Sequence, residues 1–342
     1  MKQTNTIGVD LAKNVIQISI LTPSNKEIAN KELSRKKFAE FLINQPKSLV
    51  VFEACSTAHH WARLSRSYGH TIKIIPAKAV SSFRQGHKTD KNDALAVAEA
   101  GNRPNIKMAP LKELDQQSIQ SVQRSRELLV QNKTALSNHI RGLLMEFGIF
   151  IPKGYSSLFK NLPYILEDAE NNVTDIFRTT LNLMYQRLLS LRDDIQTMDN
   201  QIKQIVKDNL ACKNLTSMEG IGPISAILLF STLGSGEAFK NGREFSAYIG
   251  LTPKQHSSGG KVNLTGISKH VANKRVRSVL IQGARAYLYR IKTAATKKDE
   301  WLLKLIERVG YGKASVALAN KNARTAWALL TQGAEFKKEL LI

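Results

Sequence analysis

Residues 6–21 read TIGVDLAKNVIQISIL, and this stretch decides the fold at the N-terminal end of the chain. Two short runs rich in β-branched residues flank a turn at residues 12–14, which predicts a β-hairpin. Residues 49–53 (LVVFE) and 71–75 (TIKII) have the composition of buried strands, and residues 59–68 between them are compatible with a helix. Strands that alternate with helices predict an α/β domain with a partly parallel sheet.

Helical patterns follow this domain, which we expect to end near Arg103-Pro104. Residues 113–147 are polar and helical in pattern, and a looser stretch with Pro152, Gly154 and Pro163 comes next. From Phe177 to Ile205, apolar residues then repeat at alternating spacings of 4 and 3, the heptad pattern of a coiled coil. Such a helix associates with a second copy, pairs with a helix of its own chain, or packs on its own domain. We therefore divide the chain into an α/β region (1–110), a helical or coiled-coil linker (111–210) and a mainly helical C-terminal region (211–342).

The segment 215–233 reads LTSMEGIGPISAILLFSTL and has the pattern of a helix-hairpin-helix. In that motif, glycines at the positions of Gly220 and Gly222 let backbone N–H groups approach a phosphate at a helix N-terminus. An ordinary tight turn between two helices produces the same pattern. The basic character of the C-terminal half favours contact with the DNA backbone.

Net charge indicates a polyanionic partner. The 342 residues carry 50 Lys and Arg against 28 Asp and Glu, a formal charge of +22. Between Phe245 and Lys298 there are eleven Lys and Arg and no acidic residue. Repeated phosphate contact explains such an acid-free stretch better than a solvated surface does, so nucleic acid is the expected partner.

Other function classes are disfavoured by the composition. No apolar run approaches the ~20 residues that span a bilayer, and the first residues lack the apolar centre of a signal peptide. Only two cysteines are present, Cys55 and Cys212, far apart in sequence. We expect a reduced cytoplasmic protein without disulfides.

Four acidic residues have positions suited to metal binding: Asp10, Glu53, Asp90 and Asp93. The first two end predicted strands, and the other two lie three apart at the start of a predicted helix, on one face. Carboxylate oxygens are the ligands that Mg²⁺ prefers, and one or two such ions assist phosphoryl transfer. Simpler interpretations are that Thr89 or Asp90 caps the helix, with Asp93 in its first turn, and that Asp10 belongs to the phosphate site of an actin-like ATPase. Glu53 would then be a surface acid at a strand end. Glu99 is a further acid on the same helix.

The segment 253–261, PKQHSSGGK, lies inside the acid-free stretch. It is either a flexible basic loop or the carrier of a nucleophilic serine. His256 is the one histidine placed to carry a proton there, although a solvated histidine is the simpler interpretation.

A set of motifs in the chain resembles those of a known family. The segments are IGVDLAKNV, FEACSTAHHWA, HKTDKNDALAVAEA, IRGLLMEFG, EGIGPISA and YIGLTPKQHSSGGKVNLTGISK, and they span nearly the whole chain in the family's order. They resemble the insertion-sequence-110 family of DEDD transposases, which are bridge-RNA-guided serine recombinases. Within it, the chain is most similar to the subgroup of the Coxiella element, with pilin-gene invertases as distant relatives.

The resemblance implies an N-terminal RuvC-like, ribonuclease-H-like fold, with the acidic quartet on Asp10, Glu53, Asp90 and Asp93. It implies a nucleophilic serine in the C-terminal transposase domain at Ser258, beside Ser257, that forms a covalent phosphoserine linkage to DNA. The basic residues expected to bind nucleic acid are Lys254, Lys261, Lys269, Lys274, Arg275 and Arg277. It further implies donor and target double-stranded DNA, a structured noncoding guide RNA, and dimers that assemble into a tetramer whose acids and serine come from different subunits. The heptad helix is a candidate for those contacts.

Three alternatives remain at the level of sequence. A RuvC-like nuclease or Holliday-junction resolvase would use water and need only the four acids. A non-catalytic DNA-binding protein would need neither the acids nor the serine. An actin-like ATPase would need a second glycine-rich phosphate loop and an adenosine pocket, which the sequence does not reveal.

Overall fold

A computed structural model describes residues 4–234, 236–267, 273–291, 293 and 296–332. The strands are β1 (Thr6–Leu11), β2 (Val15–Leu21), β3 (Glu27–Ser34), β4 (Leu49–Glu53), β5 (Thr71–Ile75), β6 (Pro253–Ser258) and β7 (Lys261–Ile267). The helices up to residue 208 are α1 (Arg35–Asn44), α2 (Ala58–Ser67), α3 (Ala77–Val80), α4 (Asp90–Asn102), α5 (Leu114–Glu146), α6 (Tyr155–Glu167) and α7 (Asp175–Asp208). The later helices are α8 (Leu210–Thr216), α9 (Pro223–Leu233), α10 (Gly242–Tyr248), α11 (Lys274–Arg290), α12 (Lys297–Val309) and α13 (Tyr311–Gln332).

A five-stranded mixed sheet forms the N-terminal part, with the strand order β3-β2-β1-β4-β5. β1 and β2 form the predicted antiparallel hairpin, in which the Ala12 N–H donates to the Val15 carbonyl at 3.1 Å. β4 pairs in parallel with both β1 and β5. The sequence prediction of these strands, of α2 and of a partly parallel sheet is confirmed. β3 was missed because its residues, EIANKELS, are mostly polar and exposed at the sheet edge.

Each face of the sheet packs against helices. Ile7, Val9 and Phe52 pack with Phe38 of α1 and Trp61 of α2 on one face. On the other face, Val51 and Ile75 pack with α4, whose apolar residues are small: Ala96, Val97 and Ala100. Since neighbouring residues of a strand point to opposite faces, every second residue of β1 and β4 is directed towards α4.

The heptad helix is α7, and it pairs with helices of its own chain. Leu181 and Leu188 of its seam are buried with Ile140 and Leu144 of α5 and with α6. Towards its C-terminus, Ile202 enters the core of the C-terminal part. The seam is therefore covered within the chain, so the expectation that it serves contact between subunits is wrong for this face.

α6 forms where the sequence predicted a looser stretch. It includes Pro163, which normally disfavours a helix interior. Leu158 and Leu162 of α6 are fully buried against Leu181 and Leu188, and this apolar contact outweighs the local signal.

The C-terminal part is a helical core with one exposed hairpin. α9 is buried along nearly its whole length and lies among α8, α11 and α13. β6 and β7 form a separate two-stranded antiparallel sheet. Within the described ranges, no helix combines the length and the apolar character that crossing a membrane requires.

Candidate functional site: an acidic cluster and a basic hairpin

The strand register brings Asp10 and Glu53 side by side. β1 and β4 run parallel with Val9 opposite Phe52, so the next residue of each strand, Asp10 and Glu53, lies at the same edge of the sheet. Both side chains are directed towards the α4 face, because they follow the α4-facing positions Gly8 and Val51 by two residues. Carboxylates at adjacent strand ends thus share one site.

Helix α4 supplies the other two acids from its first turn. It runs antiparallel to β1, since the Thr6 hydroxyl donates to Asn102 Oδ1 at 2.6 Å at the far end of the helix. Thr89 caps the helix by accepting a hydrogen bond from the Asn92 N–H at 3.3 Å. The capped turn carries Asp90 and Asp93 to the strand ends. The simpler cap interpretation therefore applies to Thr89 and leaves both aspartates available.

Close approach of α4 to the sheet depends on Gly8. A Cβ at this position would overlap the Ala94 carbonyl oxygen and the Ala98 N–H nitrogen. Glycine at position 8 is therefore a structural requirement for placing α4 above Asp10.

Electrostatics show that the four acids lie within each other's field. The pKa of Asp10 is raised to about 6, first by desolvation and then by the charges of Asp90, Asp93 and Glu53. The pKa of Glu53 is raised by desolvation and by Asp93, while Lys88 and Arg84 act in the opposite direction. The four residues singled out in the sequence are thus brought to one place by the fold.

Two basic residues that sequence reasoning missed also act at this site. Arg84 Nη1 lies 3.2 Å from Asp93 Oδ1, in a pair whose side chains are 32% and 17% exposed. The positive charge of Lys88 opposes the rise in the pKa of Glu53. Lys88 lies two residues before Asp90 and could have been considered from the sequence, whereas nothing local indicates the contact of Arg84 with Asp93. These cations partly offset the negative charge of the four carboxylates.

The donor set fits a hard divalent cation. Carboxylate oxygens are the ligands of Mg²⁺, and a raised acid pKa marks a site where a cation would be stabilised. In the part of the chain that the structure describes, no three His, Cys, Asp or Glu side chains are already drawn together into a coordination shell. Glu99 lies six residues after Asp93, roughly 9 Å further along α4, and is not among the charges that raise the pKa of Asp10.

The segment 253–261 is a β-hairpin and not a flexible loop: Ser257 and Ser258 end β6, and Gly259 and Gly260 form the turn. β6 and β7 are exposed along their length and are joined by Gly259 and Gly260 with φ of 54° and 78°. Positive φ at both central residues is the signature of a two-residue type I′ turn, which glycine adopts without strain. The glycines therefore account for the tight turn itself.

Strand alternation separates the two serines. Lys254, His256 and Ser258 lie on one face, and Ser258 pairs with Lys261 across the turn. Ser257 lies on the opposite face, opposite Val262, and accepts a hydrogen bond from Gln255 Nε2 at 2.7 Å. Within the described ranges the Ser258 hydroxyl has no hydrogen-bond partner. Ser258 is thus the serine on the basic face.

The remaining basic candidates differ in availability. Lys254, Lys261 and Lys274 are exposed. Arg275 Nε lies 3.3 Å from Glu127 Oε1 of α5, and Arg277 is partly buried, so both are less open to a phosphate. Lys269 lies outside the described residues.

Gly220 has a packing role. It has φ +78°, and a Cβ there would lie 2.9 Å from the Gly283 carbonyl oxygen of α11. Gly222 is the exposed N-cap residue of α9 with open space around its Cα. The tight turn interpretation therefore explains the first glycine, and only the second is free to approach a ligand.

Comparison with known proteins places these features in a family. Residues 7–149, which include all four acids, match the DEDD transposase family of IS110 elements, and residues 212–299, which include the hairpin, match the transposase IS116/IS110/IS902 family. The chain is 38% identical to the transposase for insertion sequence element IS1111A of Coxiella burnetii, over 97% of this chain and 91% of that one. It is 33% identical to the transposase for IS1328 of Yersinia enterocolitica, over 99% and 100% of the two chains. A pilin gene-inverting protein of Moraxella lacunata is 22% identical over 98% of each chain. The chain therefore belongs to the IS110/IS116/IS902 family of insertion-sequence transposases.

Proposed function

We propose that this transposase is an RNA-guided DNA recombinase that cleaves and exchanges strands through a covalent phosphoserine intermediate. The observation that carries the proposal is the convergence of Asp10, Glu53, Asp90 and Asp93 at one end of the sheet. A protein of charge +22 that keeps four carboxylates together has a site suited to phosphoryl transfer. We infer that the sheet and α4 act as a RuvC-like, ribonuclease-H-like catalytic domain.

The reaction that we propose conserves the energy of the phosphodiester. The Ser258 Oγ attacks the phosphorus, an O–P bond to serine forms, and the bond to the 3′ oxygen breaks. The serine proton leaves to a base, and the departing 3′ oxygen takes up a proton to become a hydroxyl. A 3′-hydroxyl from a new partner strand reverses the step, so strand exchange needs no external energy source.

Acidic residues act on the phosphate rather than on the serine. Asp10 and Glu53 from the strand ends, with Asp90 and Asp93 from α4, would hold one or two Mg²⁺ ions. The bound cation would polarise the phosphate and stabilise charge on the leaving oxygen. Arg84, paired with Asp93 beside this site, would be able to donate hydrogen bonds to a phosphate oxygen there.

A composite site explains why the serine is on an exposed hairpin. Ser258 lies at the tip of a two-stranded sheet whose residues are exposed, so the hairpin can reach a site on another subunit. We propose that acids and serine meet across subunits in a tetramer assembled on donor and target DNA. A structured noncoding RNA would select the sites by base pairing, while the protein would contact backbones with the basic face of the hairpin and, separately, with Gly222 at the start of α9 in a helix-hairpin-helix mode.

The test is a search for a covalent protein–DNA adduct. Full-length protein, the noncoding RNA of its element, Mg²⁺ and labelled donor and target DNA are mixed and then denatured. The variants are Ser258→Ala, with Ser257→Ala as the matched control from the opposite face, and Asp10→Ala. We expect label on protein for the wild type and Ser257→Ala, and none for Ser258→Ala or Asp10→Ala.

Other outcomes select other functions. Cleaved DNA without an adduct, unaffected by Ser258→Ala, would replace the recombinase with a RuvC-like nuclease that uses water. Binding without cleavage in every variant would indicate a non-catalytic DNA-binding protein.

A further inference from the structure

A deep cleft lies in the C-terminal part, apart from the acidic cluster. Its volume is about 1590 Å³, and it lies between the base of the β6–β7 hairpin and helices α10, α12 and α13. The floor is apolar and includes Leu251, Val316 and Ala317. Leu264 and Thr265 of β7 also line it, so the strands that present Ser258 rise from its edge. Ser258 lies further along β6, on the order of 15 Å from Pro253 at the cleft edge.

Positive charge dominates the cleft wall. Arg243, Lys297, Lys313 and Arg324 line it and are exposed, and none forms an ion pair with a described residue. No described residue that lines the cleft is acidic. Lys298 is neutralised, since its Nζ lies 2.8 Å from Glu219 Oε2 in a buried pair. The exposed cations therefore create a field that favours a polyanion.

Repulsion between the cations of the cleft affects the pKa of Lys321, which also lines the cleft. Its pKa is lowered by desolvation and by the charges of Lys298 and Arg324, against the opposing effect of Glu219. An anion in the cleft would relieve this repulsion.

Two of the three tryptophans of the chain line the same cleft. Trp301 is 37% exposed, and Lys321 Nζ lies 4.9 Å from its ring centroid. Trp327 is partly buried and donates its indole N–H to the Gly236 carbonyl at 3.4 Å. The third, Trp61, is 4% exposed in the core of the sheet domain. An accessible indole above an apolar floor is a surface on which a flat aromatic group can stack.

We propose that this cleft binds an unpaired segment of nucleic acid, with a base stacked on Trp301 and the adjoining phosphates on Arg243, Lys313 and Arg324. Cations alone would suit any phosphate backbone, but a duplex hides the faces of its bases from an indole. The apolar floor together with the indole therefore selects a strand whose bases are free. The proposal rests on the proposed function only in taking nucleic acid as the partner, and it adds a site distinct from the acids and Ser258.

Tryptophan fluorescence of the full chain tests the cleft directly. The probes are short oligonucleotides of arbitrary sequence: single-stranded DNA, single-stranded RNA, the matching duplex, and a single strand with abasic positions. We expect quenching of the indole emission and binding by the single strands, and weaker binding without quenching by the abasic strand. Quenching by both DNA and RNA supports the cleft, and the tighter of the two names its source. Equal quenching by the duplex, or none by any strand, would overturn the proposal.

Variants separate stacking from charge. Trp301→Leu should remove most of the quenching and weaken single-strand binding about fivefold or more. Arg324→Gln should retain the quenching and reduce the slope of log K against log salt by roughly 0.7. Lys26→Gln, at an exposed turn of the sheet domain, is the matched control and should behave as wild type. Unchanged binding in both cleft variants would overturn the proposal, even if one of them folded poorly.

Failure of the recombinase mechanism gives a different result. The quenching assay requires neither guide RNA nor DNA cleavage, and Ser258 lies outside the cleft. If the wild type forms no covalent adduct with DNA but single strands still quench its tryptophan emission, the recombinase mechanism is refuted and the cleft assignment stands.

Discussion

Replacing Asp10 with asparagine should stabilise the cation-free protein. In the folded chain the pKa of Asp10 is raised from 3.8 to about 6, first by desolvation and then by the charges of the other three acids. At ~1.36 kcal/mol per unit this corresponds to ~3 kcal/mol of unfavourable ionisation above pH 6. Since Asp10 is only partly buried and asparagine retains a polar group at the site, we expect a gain of about 1–2 kcal/mol.

The pH dependence of this gain has a defined sign. A raised acid pKa means that the folded protein binds the proton more tightly than the unfolded chain, so wild-type stability falls as the pH rises from 3.8 to about 6. Asp10→Asn should remove that fall. Its advantage should be complete at pH 8 and absent below the unfolded pKa, where the wild-type carboxyl is protonated in both states.

Thermal unfolding in EDTA at pH 8 measures the effect, with an expected rise in Tm of roughly 1–3 °C for a chain of 342 residues. Glu40→Gln, an exposed acid of α1 in the same region, is the control and should change little. Mg²⁺ should raise the Tm of the wild type but not of Asp10→Asn, because only the former retains the ligand. An unchanged or lower Tm for Asp10→Asn in EDTA would refute the claim that desolvation, together with repulsion from the other three acids, disfavours a charged Asp10 in the folded protein.

Three further predictions concern packing and titration. Gly8→Ala should lower the free energy of unfolding by about 1–3 kcal/mol and weaken Mg²⁺ binding, because the new methyl group would overlap the backbone of α4. Urea unfolding measures the first effect and a Mg²⁺ titration measures the second. Gly142→Ala, where nothing lies within 4 Å on the exposed face of α5, is its control and should stabilise by about 0.5–1 kcal/mol. Gly283→Ala should lower the urea midpoint of the C-terminal core, since its Cβ would overlap the Gly220 carbonyl oxygen; an unchanged midpoint would contradict the close contact of α11 with that turn. The pKa of His59 is lowered to about 4 by desolvation and nearby cations, so the free energy of unfolding should fall as the pH drops from 6.5 towards 4. His59→Gln should make this fall smaller by about 1–2 kcal/mol. Urea titrations at pH 7 and pH 5 measure the difference.

Much of the fold could be predicted from the sequence, because several strands are marked by residues that are neighbours in the chain. The hairpin of residues 6–21 and the buried strands before Glu53 and Pro76 are apolar runs bounded by turn residues, which need no distant partner to be identified. β3 and α6 lacked such a signal. The first is polar because it lies at an edge, and the second contains Pro163 yet is stabilised by contacts with residues of α7 that are distant in sequence.

The acidic site was also only partly predictable from the sequence. The order and residue types of Asp10, Glu53, Asp90 and Asp93 were readable, because strand ends and a helix start are local features. Arg84 was not found, since its contact with Asp93 depends on how the segment before α4 folds back. The cleft was equally hidden, because Trp301 of α12 meets Arg243 of α10 and Arg324 of α13 only in the folded chain.

By itself, the sequence determined the secondary-structure elements around the acids, the excess of positive charge and the family. Hydrophobic period, turn residues and composition are properties of neighbouring residues and survive without a fold. Only the tertiary structure decided that the heptad seam is covered within the chain, that Ser258 and Ser257 face opposite ways, and that the four carboxylates repel one another. Those outcomes depend on which surfaces meet and on how much water is excluded between them, and both are set by packing between residues far apart in the chain.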